Sequence, residues 1–127
     1  MTNKQGLLIV AHGSKSDIAN SEFDQIVAHT ASQTSDYVVK GAHMEISHPS
    51  IPEAIPLFAE EGVKQIIVVP YFLFNGKHIL KDIPQILKET QVNFPQVTII
   101  LAKPFGFEPS LAHLVIKRAI ETHQQQQ

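Results

Sequence analysis

Short apolar runs and helix-like patterns alternate along the whole chain, and this alternation constrains the fold more than any other feature. The predicted strands are 6–11, 36–46, 65–70 and 97–102, and the predicted helices are 17–32, 51–61, 79–90 and 109–122. Such alternation predicts a parallel sheet covered by helices. Right-handed crossovers and short connections favour the strand order 2-1-3-4. We therefore predict an α/β fold, a flavodoxin-like three-layer sandwich with a four-stranded parallel sheet and helices on both faces.

Length and composition exclude several classes of protein. The 127 residues suit one domain, which we expect to span 1–123 before a polar tail at 124–127. The chain lacks cysteine, which excludes disulfides, thiolate metal sites and cysteine nucleophiles. A net charge of −2 indicates no broad basic surface for nucleic acid. No segment approaches the ~20 apolar residues of a membrane span, and nothing resembles a signal peptide, so we expect a cytoplasmic protein.

Two histidines follow the strands that flank the switch point of the predicted sheet. His12 comes directly after strand one, and His78 comes after strand three. In an open parallel sheet, ligands bind beyond the carboxyl ends of the strands at this point. We therefore expect the two imidazoles to lie close together. Either one alone is also compatible with a structural role, such as a hydrogen bond to the backbone at the sheet edge.

Strand two, next to strand one, ends in further metal-ligand residues. His43 and Glu45 are two positions apart, and residues two apart point to the same face of a strand. Two imidazoles and a carboxylate suit a divalent first-row metal when coordination positions stay open. Glu45 is the stronger candidate, because His43 is more easily explained by packing.

The glycine and serine after His12 share some features with phosphate-binding loops. Gly13 and Ser14 precede a helix, whose amides can bind an anion. The P-loop and dinucleotide-binding spacings are absent, and Ser14 lacks the G-x-S-x-G elbow of hydrolases. A small phosphorylated ligand at this loop stays open as an alternative.

Several motifs together resemble those of the CbiX/SirB class II chelatases, over essentially the whole chain. The matching stretches are His12-Gly13-Ser14, Glu45, His48-Pro49-Ser50-Ile51, Pro70-Tyr71-Phe72-Leu73, Gly76-Lys77-His78 and Asp82-Ile83-Pro84. Members of this family insert a divalent metal into sirohydrochlorin. The resemblance implies a chelatase-like fold in its short, single-lobe form, which works as a homodimer with the active-site cleft between subunits.

The resemblance also implies roles for individual residues. His12 and His78 would bind the metal and catalyse its insertion, with Glu45 as the acidic residue of the site. Imidazole suits both tasks, since it binds first-row metals and its unperturbed pKa of about 6.5 lets it accept pyrrole protons. No organic cofactor is expected, and the metal substrate would be Co²⁺, Fe²⁺ or Ni²⁺.

Substrate contacts are expected around this site. Candidates for the carboxylates and the ring of sirohydrochlorin are Gly13, Ser14, Lys15, Tyr71, Phe72, Gly76, Lys77 and Lys81. Lysine is a weaker carboxylate clamp than arginine, and the chain has a single arginine, Arg118. A non-catalytic metal- or tetrapyrrole-binding module remains the alternative to an enzyme.

Overall fold

The structure is a computed structural model that describes residues 5–74 and 76–126, and for residues 77–80 it describes the backbone alone. Four strands alternate with four helices. The strands are β1 Gln5–Ala11, β2 Tyr37–His43, β3 Gln65–Pro70 and β4 Thr98–Leu101. The helices are α1 Asp17–Ser32, α2 Ile51–Glu60, α3 Lys77–Asn93 and α4 Pro109–Gln125.

The four strands form one parallel sheet in the order β2-β1-β3-β4, which confirms the predicted fold and topology. Ala11, at the end of β1, pairs with His43 at the end of β2. Val10 pairs with Pro70 at the end of β3. The carboxyl ends of three neighbouring strands therefore meet at one edge of the sheet, where the predicted site lies.

Of the boundaries that differ from the prediction, three concern the predicted site or the C-terminal tail. β2 ends at His43, three residues early, because Ile46 adopts a left-handed φ of 71° and the chain turns. α3 begins at Lys77, so the backbone of His78 lies in a helical turn, whereas a loop was predicted. α4 continues to Gln125, into the residues predicted to form a polar tail.

The main core lies between the sheet and the helices α2 and α3. Leu8, Val10, Ile66 and Val68 of the central strands are fully buried there. α2 begins with a capping box in which Ser50 and Glu53 cap each other's backbone amides, and it contains a proline at position 56. An internal proline costs a helix about 3 kcal/mol. The helix persists because it buries four apolar side chains, and a large one contributes roughly 1.5–3 kcal/mol; these are Ile51, Ala54, Ile55 and Phe58.

The opposite face of the sheet is covered unevenly. α1 packs Phe23 over the β1–β2 half, where Ile9 is 5% exposed. On the β3–β4 half, Ile67 and Val69 are only half-buried and Ile100 is 41% exposed. α4 has no buried residue. Four of its apolar side chains are between 44% and 69% exposed, namely Leu114, Val115, Ile116 and Ile120.

None of the helices in the described part of the chain is long and apolar enough to cross a membrane.

Candidate metal centre at the strand ends

A histidine and a carboxylate meet where β1 and β2 end. His12 Nε2 lies 2.8 Å from Glu45 Oε1. The two side chains are 49% and 61% exposed, so a ligand can reach both from solvent. Imidazole nitrogen and carboxylate oxygen are both ligands that suit divalent first-row metals. The hydrogen between these two atoms must move away from Nε2, for example to Nδ1 of the same ring, before a metal ion can bind that nitrogen.

Backbone hydrogen bonds past the strand ends place the two residues side by side. The Met44 amide donates to the Ala11 carbonyl over 2.9 Å, and the Glu45 amide donates to the His12 carbonyl over 3.1 Å. Gly13 comes next, with φ of 109°. A Cβ at residue 13 would collide with the Glu45 carbonyl oxygen. Glycine is required at this position by both its φ and this close approach.

Side chains connect the same two loops to α1. The Ser14 carbonyl accepts hydrogen bonds from Ser47 Oγ at 2.7 Å and from Asn20 Nδ2 at 2.9 Å. The Ser14 amide donates to Ser47 Oγ at 3.4 Å, and the Ser16 amide donates to Ser14 Oγ at 3.0 Å. Polar groups of the Gly13–Ser14 loop are thus used inside the protein. The loop serves to fix the His12–Glu45 geometry in advance, as a precise binding site requires.

A strained turn follows Glu45. Ile46 has φ of 71° although it is β-branched and 56% exposed, a conformation that costs about 1–3 kcal/mol. The Ser47 amide donates to the Glu45 carbonyl at 2.7 Å and closes a three-residue γ-turn. This turn reverses the chain and brings Ser47 back onto Ser14.

His43 occupies a different environment from Glu45. It is 4% exposed, and its ring packs against Phe23 with centroids 5.2 Å apart. Its Nδ1 is buried with no hydrogen-bond partner, and burial lowers the pKa of His43, against a smaller opposing effect of Asp24. The grouping of His43 with Glu45 on one strand face was wrong, because the strand ends between them.

The third predicted ligand, His78, has its side chain outside the described residues, and the same holds for Lys77. The backbone of both lies in the first turn of α3, just after β3. Among the side chains that are described, no group of three His, Cys, Asp or Glu residues is arranged to hold a metal ion. The described donor set is therefore the His12–Glu45 pair.

The predicted substrate-binding residues surround this pair to different degrees. The Phe72 ring lies edge-on to the His12 ring, with centroids 6.4 Å apart. Tyr71 is 39% exposed and contacts the rings of Phe105 and Phe23. Gly76 is the N-terminal cap of α3, and the side chains of Lys15 and Lys81 are exposed.

A cleft of about 950 Å³ opens beside His12, between the strand ends, α1 and α4. Its lining residues are Ala11, His12, Gly13, Ser14, Ala19, Asn20, Glu22, Phe23, Gln25, Ile26, His29, Tyr71, Leu114 and Arg118. Sequence reasoning missed His29, Leu114 and Arg118, because nothing local in the sequence connects them to His12. The rarity of arginine in this chain was the one available signal for Arg118.

A second histidine–carboxylate pair lies nearby in the sequence. His48 Nδ1 is 2.7 Å from Glu53 Oε1, and this oxygen also accepts a 2.7 Å hydrogen bond from the Ser50 amide. The Ser50 amide, followed by His48 and the Ser50 hydroxyl, lowers the pKa of Glu53 to about 2. This pair belongs to the capping box of α2.

Comparisons with known proteins agree on one family. A sequence model of the CbiX family matches residues 6–122. A sirohydrochlorin cobaltochelatase from Methanosarcina acetivorans is 41% identical over 95% of this chain and 98% of its own length. A chloroplastic sirohydrochlorin ferrochelatase from Arabidopsis thaliana is 34% identical over 80% of this chain and 45% of its own length.

Solved structures share the fold. A CbiX protein from Marinobacter aquaeolei VT8 superposes with a TM-score of 0.79, at 29% identity, over 96% of both chains. The sirohydrochlorin chelatase SirB from Bacillus subtilis subspecies spizizenii, in complex with cobalt, gives 0.87 at 26% identity. That alignment covers 93% of this chain and 50% of SirB, so the present chain corresponds to half of that protein. By its sequence over nearly its full length, and by its fold, the chain belongs to the CbiX family.

Proposed function

We propose that this protein is a sirohydrochlorin metallochelatase, which inserts Co²⁺ or Fe²⁺ into the macrocycle. The observation that carries the proposal is the open His12–Glu45 pair at the switch-point edge of the sheet. Relatives of nearly the same length are sirohydrochlorin cobaltochelatases, and one plant relative is a ferrochelatase, which supports both metals. Ni²⁺ is a third candidate metal substrate, and no organic cofactor is needed.

The pair suits both parts of the reaction. For each divalent ion that enters, two pyrrole protons leave, so the site must supply a metal and accept protons. The His12 imidazole does both in turn: it holds the ion before transfer, and after the ion has left it accepts the two pyrrole protons one after the other. The Glu45 carboxylate, 2.8 Å away, stabilises the imidazolium that forms and passes its proton to solvent.

A small number of protein ligands on the metal ion favours its transfer to the macrocycle. A structural metal site closes the coordination shell with four protein ligands, whereas a site for chemistry leaves positions open. We propose His78 as the second imidazole, because its backbone follows β3, which pairs with β1. The macrocycle nitrogens then replace these few protein ligands one at a time. Gly13, Ser14, Tyr71 and Phe72 would meet the macrocycle, and Lys15, Gly76, Lys77 and Lys81 its carboxylates.

We further propose that the single domain, residues 1–123, works as a cytoplasmic homodimer. The support is α4, which exposes four large apolar side chains and buries none of its residues. Most of the stability of a helix in a protein comes from packing of its apolar face. A second copy that covers α4 would stabilise it and close the cleft beside His12 on its open side. Light scattering tests this assembly, and a monomer at working concentration would contradict it.

The test of the function is a metal-insertion assay. Purified protein is incubated with sirohydrochlorin and Co²⁺, Fe²⁺ or Ni²⁺ in turn, and macrocycle absorbance is followed. We expect insertion that His12→Ala and His78→Ala abolish and that the surface variant His48→Ala retains. Tight binding of the macrocycle without turnover would favour a non-catalytic binding module, and full activity of both alanine variants would exclude the proposed mechanism.

A further inference from the structure

The only arginine of the chain lines the same cleft as His12. Arg118 lies in the third turn of α4, far from the metal pair in sequence, and reaches the cleft because α4 faces α1 across it. On the α1 side, the lining includes Phe23, Ile26 and His29. The cleft therefore combines an apolar wall with a permanent positive charge, and His12 lies on its border.

The size and lining of this cleft fit a large flat molecule with an acidic rim. Its volume of about 950 Å³ is at the upper end of the roughly 300–1,000 Å³ typical of ligand sites. Phe23, Ile26, Leu114 and Tyr71 offer apolar and aromatic surface for a macrocycle. Glu22 also lines the cleft and opposes an anion, so the cation on the α4 side has to provide the attraction.

The guanidinium of Arg118 is positioned by its own helix. Its Nη1 lies 3.2 Å from both carboxylate oxygens of Glu121, one turn further along α4. Both contacts use the same nitrogen, whereas a guanidinium presents five N–H donors in a planar fork. The Arg118 side chain is 63% exposed, so solvent and solutes reach it. The Glu121 contact steadies the group at the cleft, and the fork retains donors suited to a carboxylate.

We infer that Arg118 binds a peripheral carboxylate of the tetrapyrrole and thereby orients the macrocycle against the His12 side of the cleft. This inference rests on the proposed function for the identity of the ligand. Arg118 is a substrate-binding residue and takes no part in metal binding or proton transfer. Its loss should weaken substrate binding and leave the metal pair unchanged.

Binding of metal-free sirohydrochlorin, measured by an absorbance titration, tests the inference without turnover. We expect Arg118→Ala to weaken binding about tenfold, as for loss of one charge-assisted hydrogen bond at a partly exposed site. Arg118→Lys keeps the charge but loses the fork, and it should recover only part of the affinity. The matched control is Lys117→Ala, which removes the same charge from the neighbouring exposed position of α4 outside the cleft lining.

Two further measurements separate a specific contact from a general effect of charge or folding. A sirohydrochlorin ester without free carboxylates should bind wild type and Arg118→Ala equally well. In the insertion assay, Arg118→Ala should raise KM and leave kcat unchanged, and light scattering should show the same assembly as wild type. Equal affinities of Arg118→Ala and Lys117→Ala for the free acid would overturn the inference, and so would an equal loss with the ester.

The outcomes distinguish this inference from the proposed function. If the wild type binds sirohydrochlorin through Arg118 but inserts no metal, the proposed chelatase activity is refuted and the binding role of Arg118 is supported. If the wild type inserts metal and Arg118→Ala binds sirohydrochlorin normally, only the binding role of Arg118 is refuted. Wild type that does not bind sirohydrochlorin would refute both.

Discussion

Two histidine–carboxylate pairs in this molecule have nearly the same geometry and different environments. His12 and Glu45 are 2.8 Å apart, and His48 and Glu53 are 2.7 Å apart. All four side chains are about half exposed or more. The distance alone gives no reason to assign metal chemistry to one pair and not to the other.

The difference lies in the atoms that hold each carboxylate in place. Glu53 is held in place through its carboxylate, which accepts a hydrogen bond from the Ser50 amide at the start of α2. Metal binding by Glu53 would disrupt that cap. Glu45 is fixed by its backbone, through the bond from its amide to His12 and the close approach of Gly13. Its side chain can exchange partners without disturbing the loop, which is what a site for a transferable metal requires.

The largest expected effect comes from the backbone that supports the first pair. Gly13→Ala should reduce metal insertion by at least 100-fold, because the new Cβ would collide with the Glu45 carbonyl and residue 13 has φ of 109°. The insertion assay measures the loss. Gly62→Ala is the matched control: Gly62 has φ of 79° and nothing within 4 Å of the added Cβ. Gly62→Ala should cost roughly 1 kcal/mol of stability and keep full insertion activity. An equal loss of insertion activity in both variants would contradict the steric argument.

The next effect concerns metal binding itself. Saturating Co²⁺ should raise the Tm of the wild type, since a ligand at 100 times its Kd stabilises the folded state by about 2.7 kcal/mol. His12→Ala should abolish most of this shift, and Glu45→Gln should reduce it. His48→Ala should leave it unchanged. Thermal unfolding with and without Co²⁺ measures the Tm shift of each variant. A shift that is lost in His48→Ala would show that the metal binds the second pair and would contradict the assignment to His12 and Glu45.

A smaller effect should appear in stability without any effect on activity. Ser50→Ala removes the hydroxyl that caps α2, and loss of such a cap typically costs about 1 kcal/mol of unfolding free energy. Urea unfolding measures the change. Metal insertion should stay at the wild-type rate, because the second pair has no part in it. A loss of activity at unchanged stability would instead connect the second pair to the site.

The smallest effect is a dependence on pH. The pKa of Glu53 is lowered from 4.5 to about 2, so its stabilising contribution is complete above pH 4.5 and is lost as pH falls towards 2. Glu53→Gln should flatten that part of a plot of unfolding free energy against pH. Burial also lowers the pKa of His43, so the unfolded chain binds a proton at this residue more readily than the folded protein does. Stability is therefore lost as pH falls below about 6.5. The loss of stability due to His43 is therefore expected to begin at a higher pH than the loss due to Glu53. An unchanged curve in Glu53→Gln would contradict the capping role.

The sequence predicted the features that follow from periodicity and topology. Alternating elements sufficed for the sheet order, and the sheet order sufficed to place His12 beside the end of β2. The packing of His43 against Phe23 agrees with the explanation preferred from the sequence. The turn that separates His43 from Glu45 could not be predicted, because Ile46 adopts a strained conformation that no propensity favours. Arg118 was missed for another reason. Its place in the cleft depends on where α4 lies relative to α1, and no local sequence pattern encodes that position.

Because α4 buries none of its residues, a longer protein of this family could contain two copies of the domain joined after this helix. Every buried member of the main hydrophobic cluster that the structure describes comes before residue 98, and α4 buries none of its residues. A duplicated gene could join a second copy after α4 without altering the interior of either copy. The SirB chains, of which this chain covers 46% and 50%, have the length that such a fusion would give. The helix that is least necessary to the single lobe is thus well suited to become the connection between two.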